Sequence, residues 1–362
     1  MKPEDYSIAG KQEASGFGRL RPTFQWLALA AISFLIAAPM EVAGFSAALL
    51  MGPMLAGVSV SLCGATIRLP KSFFFVVQIV LAMMIAGTIS PTFVGNFSAN
   101  WPLFLAIVMS VIALSSFSGW IITRMKILPG TTAVWGTSAG AASTMLIMAT
   151  AYGADARLVA FMQYLRVLFV AGVATLVAQI GGHNGAPLHA LNWFAPVDLP
   201  SFAATLGVGT ACAFVGTWLR IPAGAFLLPF AVGSAMSLTG VLKIELPQLL
   251  LAASYALLGW SIGLGFTRAI LLHARRALLP TVLSIVALIG FSGLLAALLV
   301  LLLDIDPLTA YLATSPGGLD SIAVIAASSN VDIAFIMALQ TSRLILVTFI
   351  GPALARFVAD KV

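Results

Sequence analysis

The sequence predicts an all-α polytopic membrane protein made of two inverted repeats, each with five transmembrane helices and one re-entrant helical hairpin. Three observations predict it. Hydrophobic residues make up 60% of the 362-residue chain and charged residues only 8%, where soluble domains carry about 25% charged residues. A set of polar and glycine residues recurs at a fixed distance of 177 positions. The Lys and Arg residues crowd toward one side of the expected topology. At about 20 apolar residues per crossing, the chain holds at most about a dozen spans and leaves no room for a second, water-soluble domain.

The elements follow in order. Residues 1–23 form a polar tail with Lys2, Lys11, Arg19 and Arg21. The apolar run 24–38 that follows is read as a short first span, because a cleaved leader would not carry so long and mixed a charged region. Further apolar segments run over 43–62, 73–89, 101–123, 131–151 and 157–180, which completes a first membrane repeat, 24–180. A linker, 181–200, carries His183, His189 and Asp198 but no Lys or Arg. The pattern resumes at 201–219, 224–242, 248–266, 278–303, 308–328 and 333–356, a second repeat over 201–358. Pro and Gly within several segments predict kinked and broken helices, which membranes tolerate where the freed backbone is buried in protein. Cys63 and Cys212 lie in apolar runs without metal or redox spacing and are expected to be small buried side chains.

The duplication rests on residues that composition alone would not align. Asp155, Gln163 and Arg166 recur as Asp332, Gln340 and Arg343, and Thr137, Ser138 and Gly140 recur as Thr314, Ser315 and Gly317, all 177 positions apart. Pro53 and Gly57 match Pro229 and Gly233 with a one-residue slip. If segments 131–151 and 308–328 dip into the membrane and return, fifteen basic residues share one side and Lys243 stands alone on the other, with Arg166 and Arg343 within the membrane. The positive-inside rule then puts both termini in the cytoplasm. Five crossings per repeat is an odd number, so the second copy must run upside down, the architecture of many secondary transporters.

Arg166 and Arg343 each lie 11 residues beyond an Asp at the membrane boundary, about 16 Å deep at 1.5 Å per residue. A central Arg costs at least ~2.5–3.5 kcal/mol to insert and should face a partner or a wet cavity. Gln163 and Gln340 precede them by three positions on the same helix faces. Two readings stand: a pocket in which two guanidiniums and two amides converge, or two structural struts bonded to carbonyls at helix breaks. The breaks are placed at 135–143, with Thr137, Ser138 and Ser143, and at 313–321, with Thr314, Ser315, Gly317, Gly318 and Asp320. There Gly permits a sharp turn and Pro316 removes a donor. The helix N-terminus after each break would favour an anion, while packing of small residues is the ligand-free alternative. Asp320 has no acidic twin, since Ser143 stands at its counterpart; it would bind a coupling proton or sodium ion, or pair with an Arg. Asp155 and Asp332 are expected to cap the helices that follow them.

The motifs GPMLAG at 52–57, GADARLVAFMQYLRV at 153–167 and LATSPGGLDSIAVIA at 312–326, with the repeat itself, resemble the AbrB family of duplicated bacterial inner-membrane proteins. The resemblance spans everything after the N-terminal tail and implies an inner-membrane location. The first repeat departs from the pattern, with Ala139-Gly140-Ala141 where the second has Pro316-Gly317-Gly318. Family members carry two labels, regulator of gene expression and ammonia monooxygenase. The oxygenase label fits poorly, because a copper site needs a cluster of imidazole and carboxylate ligands. The chain's three histidines, His183, His189 and His273, fall on opposite sides of the membrane. No nucleic-acid-binding module is present in the sequence pattern. The expected protein is therefore not an enzyme and needs no cofactor. It lies in the lipid bilayer and handles a small anionic solute, with a homodimer left open. A sensor that binds without translocating, acting indirectly on gene expression, is the alternative.

Overall fold

In the computed structural model every regular element among the described residues is helical. The structure describes residues 16–43, 45, 47–87, 89, 101–125, 128, 131–138, 145, 149, 153–180, 197–221 and 223–359, with the backbone alone at Arg19, Asp320, Thr348 and 351–359. After one 3-10 turn, Gly16–Arg19, the first repeat comprises α1 (Pro22–Val42), α2 (Ala48–Leu62), α3 (Lys71–Ala86), α4 (Trp101–Arg124), α5 (Thr132–Thr137) and α6 (Ala156–Ile180). The second comprises α7 (Leu199–Trp218), α8 (Gly224–Leu238), α9 (Gln248–Gly263), α10 (Arg268–His273), α11 (Leu278–Leu303), α12 (Pro307–Thr314), α13 (Leu319–Ala327) and α14 (Ile333–Ala359). Helices α1, α4, α6, α7 and α11 are long and apolar enough to cross a membrane. Phe34 and Leu35 on α1, Phe214 and Trp218 on α7, and Leu294 and Leu301 on α11 stand exposed, an outward apolar surface suited to lipid rather than water.

The periodicity of the duplication is carried by the helix boundaries. Helices α1, α3, α4 and α6 begin at residues 22, 71, 101 and 156, and α7, α9, α11 and α14 begin 177 positions later. Helices α2 and α8 keep the one-residue slip. Two expectations are corrected. The first span is Pro22–Val42, not 24–38: Pro22 occupies the first turn, where its missing N–H costs nothing, and Pro39 is accommodated inside the helix. Neither cysteine is buried: Cys212 is half-buried and Cys63 exposed, the latter because it follows the last residue of α2 and leads into the turn at Gly64, whose φ of 94° ends the helix.

Glycine sets the closest helix contacts. A Cβ on Gly263 of α9 would lie 2.3 Å from the Met54 carbonyl oxygen and 2.9 Å from Gly57 Cα, both on α2. The equivalent pair, α3 with α8, meets at Gly233 against Ala86 and Met83. Helices α1 and α7 pack outside these pairs on α2 and α8, while α4, α5, α6 and α11 to α14 form the body that carries the broken helices.

The helix ends meet in groups. Gln25, near the start of α1, accepts from the Thr66 amide at 2.9 Å, and Arg268 Nε donates to the Leu62 carbonyl at the end of α2. His273 of α10 bonds Asp155, before α6, at 2.9 Å. Elsewhere Gln179, at the end of α6, donates to Ala43 O after α1 at 2.8 Å. The Asp198 amide before α7 donates to Glu245, in the α8–α9 turn, at 2.8 Å. Lys243 in the same turn pairs with Glu245 at 2.5 Å.

Candidate functional site

The site grows from two helices that stop inside the protein. Helix α5 ends when Ser138 turns extended, at φ −56° and ψ 125°. Helix α12, started by Pro307 and by Asp306 accepting from the Thr309 amide at 2.8 Å, ends in the same way at Ser315, φ −60° and ψ 139°. A helix terminus leaves carbonyls without intrahelical partners, and a bilayer offers no water to satisfy them.

Gln and Arg side chains supply the partners in both repeats. Gln163 Nε2 donates to Trp135 O at 2.8 Å and to Ser138 O at 3.1 Å, and Arg166 Nη1 donates to Ser138 O at 2.5 Å. In the second copy Gln340 Nε2 donates to Leu312 O at 2.7 Å and to Ser315 O at 3.1 Å, and Arg343 Nη1 donates to Ser315 O at 2.5 Å. Donors and acceptors in these bonds correspond one for one at a spacing of 177. Arg343 makes two further bonds, from Nη2 to Gly317 O at 2.9 Å and to Gln340 Oε1 at 2.5 Å. Gln163 Oε1, in contrast, is buried with no acceptor contact used among the described residues.

Both guanidiniums are shut off from bulk solvent, Arg166 at 1% and Arg343 at 4% exposure. The breaks of one repeat rest on the long helix of the other: a Cβ on Gly317 would come 3.1 Å from Val170 and one on Gly318 would come 3.4 Å from Val167, both beside Arg166 on α6. Among the described residues, the acceptors for Arg343 are two carbonyls and one amide oxygen, none of them a carboxylate. Its Nε–H is buried and lacks an acceptor there. An arginine has five N–H donors in a fixed fork, so capacity for an acceptor-bearing ligand remains.

The predicted hydroxyls are turned toward backbone. Thr137 Oγ1 donates to Ala133 O at 2.9 Å; Thr314 Oγ1 donates to Ala310 O at 3.0 Å and across to Ser292 O of α11 at 2.9 Å. Ser315 Oγ donates to Leu312 O at 3.1 Å. Ser138 and Ser315 join the site through their carbonyls, and Gly317 through its carbonyl and its close approach to α6. Gly318 is the N-cap of α13. Ser143 and Gly140 lie outside the described residues, as do 181–196 with His183 and His189, and only the backbone of Asp320 is described, in the first turn of α13.

Asp155 and Asp332 cap their helices as expected. Asp155 Oδ1 accepts from the amides of Arg157 at 2.9 Å and Leu158 at 3.3 Å, and Asp332 Oδ1 accepts from the Phe335 amide at 3.0 Å. Burial pushes the Asp155 carboxyl up, but bonds from His273 and these amides outweigh it and hold it below its ordinary value. Thr132 and Thr309 escaped the sequence reading. Their hydroxyls accept from the amides of Asp155 at 3.1 Å and Asp332 at 3.2 Å, tying each half-helix to the start of its partner helix. The signal was present, since the two threonines are also 177 apart.

Three comparisons bear on this arrangement. The family model described as "Transition state regulatory protein AbrB" matches residues 49–359. The protein from Escherichia coli (strain K12) named "Putative regulator AbrB" is 45% identical over 340 residues, covering 93% of this chain and 97% of that protein. "Uncharacterized protein YhjN" from Bacillus subtilis (strain 168) is 24% identical over 294 residues, covering 77% of each. No solved structure matches the chain.

Proposed function

The chain belongs to the AbrB family, and we propose that it is a secondary transporter moving a small anionic solute across a bacterial inner membrane by alternating access. The observation that carries this reading is the Arg343 guanidinium. It is buried, held among the described residues on neutral oxygens alone, at a break that rests on the helix carrying Arg166, and keeps an Nε–H to offer. Net positive charge in a low-dielectric site favours an anionic guest. Gln163, Gln340 and Arg166 brace the carbonyls at the breaks, and in this reading Asp320 serves a coupling proton or sodium ion. The reaction is binding and translocation, with no covalent step.

Inversion of the repeats is supported by the meeting of helix ends. Helix α1 begins beside the end of α2 and the loop that follows α9, whereas its copy α7 begins beside the turn that precedes α9. Helix α6 begins beside α10, at the start of α11. Its copy α14 begins beside Thr309, after the end of α11. These meetings support the reading in which each copy runs against its original; the proposed topology has ten crossings, two re-entrant hairpins and both termini cytoplasmic.

A second reading, a membrane sensor that binds the same anion without moving it, draws on the regulator name of the Escherichia coli relative. Both readings need the ligand. Purified protein should be screened by thermal shift against small mono- and dicarboxylates and inorganic oxyanions. At a hundredfold excess over Kd a ligand that binds only the folded state stabilises by about 2.7 kcal/mol. A stabiliser of wild type that fails to stabilise a folded Arg343→Gln variant supports the site; equal stabilisation of both removes it.

A further inference from the structure

The two sides of the site are unequal. Between α8 and α14 the structure holds a cavity of about 230 Å³, lined by Phe230 and Ser234 of α8, Ala338, Thr341 and Ser342 of α14, and Ile89 beyond α3. Its lining residues Thr341 and Ser342 stand between Gln340 and Arg343 in the chain. It is smaller than the ~300–1,000 Å³ typical of pockets for drug-sized ligands, which suits a solute of few heavy atoms.

The duplicate of this cavity, between α2 and α6, is filled. Ala338 corresponds to Phe161, Thr341 to Tyr164, Ser342 to Leu165 and Ile89 to Phe266, each 177 positions apart. Phe161 packs edge-on against Phe266 with ring centroids 6.4 Å apart, and Tyr164 lies 6.3 Å from Phe266. Tyr164 also covers Gly265 so closely that a Cβ there would fall 2.7 Å from its Cε2. Phe161 is 2% exposed and Phe266 7%, and Met54, which corresponds to Phe230 with the one-residue slip, is fully buried.

We propose that Phe161, Tyr164 and Phe266 form the cytoplasmic gate of the transport path, and that the structure is the outward-open state, with the cavity as the open vestibule. The inference rests on the transporter reading and deepens it. Related halves that exchange roles need one passage open while the other is packed shut. Here an alanine, a threonine and an isoleucine leave space where their counterparts put three aromatic rings. The gate is the more tightly packed side, so the resting equilibrium lies outward.

Accessibility tests this without any solute. In full-length protein lacking Cys63 and Cys212, single cysteines replace Ser342 or its counterpart Leu165. A negatively charged, membrane-impermeant thiosulfonate is added to sealed vesicles of either orientation. With the minor state at or below about a tenth of molecules, Ser342→Cys should react from outside at least about tenfold faster than Leu165→Cys from the cytoplasmic side. Phe266→Leu, or Tyr164→Ala where it folds, should raise the Leu165→Cys rate and lower that of Ser342→Cys. Equal rates in the starting protein overturn the gate. So does labelling of Ser342→Cys by a lipid-soluble maleimide alone, which makes the cavity a lipid crevice, or insensitivity of both rates to Phe266→Leu. Because the rates need no substrate, failure here is separable from failure of transport itself.

Discussion

Replacing Gln340 by Leu keeps the shape of the side chain and removes its hydrogen bonds. Three are lost: two from Nε2, to Leu312 O at 2.7 Å and Ser315 O at 3.1 Å, and one accepted from Arg343 at 2.5 Å. None of the partners is left bare, since Leu312 O keeps the Ser315 hydroxyl, Ser315 O keeps Arg343 Nη1, and Arg343 Nη2 keeps Gly317 O. Polar contacts between membrane helices average about 0.6 kcal/mol each, so the three together are worth about 2 kcal/mol. Gln163→Leu breaks only two such bonds and should cost about 1 kcal/mol. The assay is reversible unfolding in mixed micelles by titration with sodium dodecyl sulfate, followed by helical circular dichroism. A smaller loss for Gln340→Leu than for Gln163→Leu would refute the reasoning, because it would mean that the bonded network at the second break does not set its stability.

Other outcomes follow from the same geometry. Gly263→Ala drives a Cβ to 2.3 Å from the Met54 carbonyl; backbone cannot step aside, so α2 and α9 must part at a cost of about 1–3 kcal/mol. Gly290→Ala, with nothing within 4 Å, should be neutral or stabilising by up to about 1 kcal/mol in the same titration. Asp155 has its folded pKa held below the ordinary carboxylate value, so its contribution is present above the unfolded pKa and is lost as pH falls through the folded one. The stability of Asp155→Asn relative to wild type should therefore narrow on acidification below about pH 4. In protein lacking Cys63 and Cys212, cysteines at Gly185 and Asp304 should react with an impermeant thiol reagent from outside intact cells, and cysteines at Ser72 and His273 only after permeabilisation. Labelling of positions 185 and 273 from the same side would contradict the inverted arrangement.

Much of the fold was legible because membrane helices announce themselves by composition and the duplicated residues are polar. Helix α11, Leu278–Leu303, coincides with its apolar segment, and the break at 315–318 falls where Pro316 and the glycines placed it. The first span was read short at one point: its predicted end at residue 38 falls just before Pro39, yet the helix continues through that proline to Val42. The pairing of Gln and Arg with one another's neighbourhood was legible from their spacing, but the direction of their hydrogen bonds was not. Carbonyls freed at a break appear only once the half-helix is folded against the long helix, and they draw in the amide and guanidinium donors. The strut reading describes the bonds that form, with Arg343 bracing the break, and the buried Nε–H without an acceptor among the described residues is what the proposed pocket draws on. The difference between Phe161 and Ala338, or between Tyr164 and Thr341, was in the sequence throughout. It acquired meaning only when facing helices showed one gap filled and the other empty.

Solute counterflow in proteoliposomes is the most direct measurement of the central claim. The vesicles are loaded with the anion that stabilises wild type in the thermal-shift screen, and a trace of the same anion, labelled, is added outside, first without and then with a sodium or proton gradient. The account predicts transient, saturable accumulation of label by wild type and none by Arg343→Gln. Saturable binding of that anion with no accumulation under any gradient would contradict transport and leave the protein a receptor.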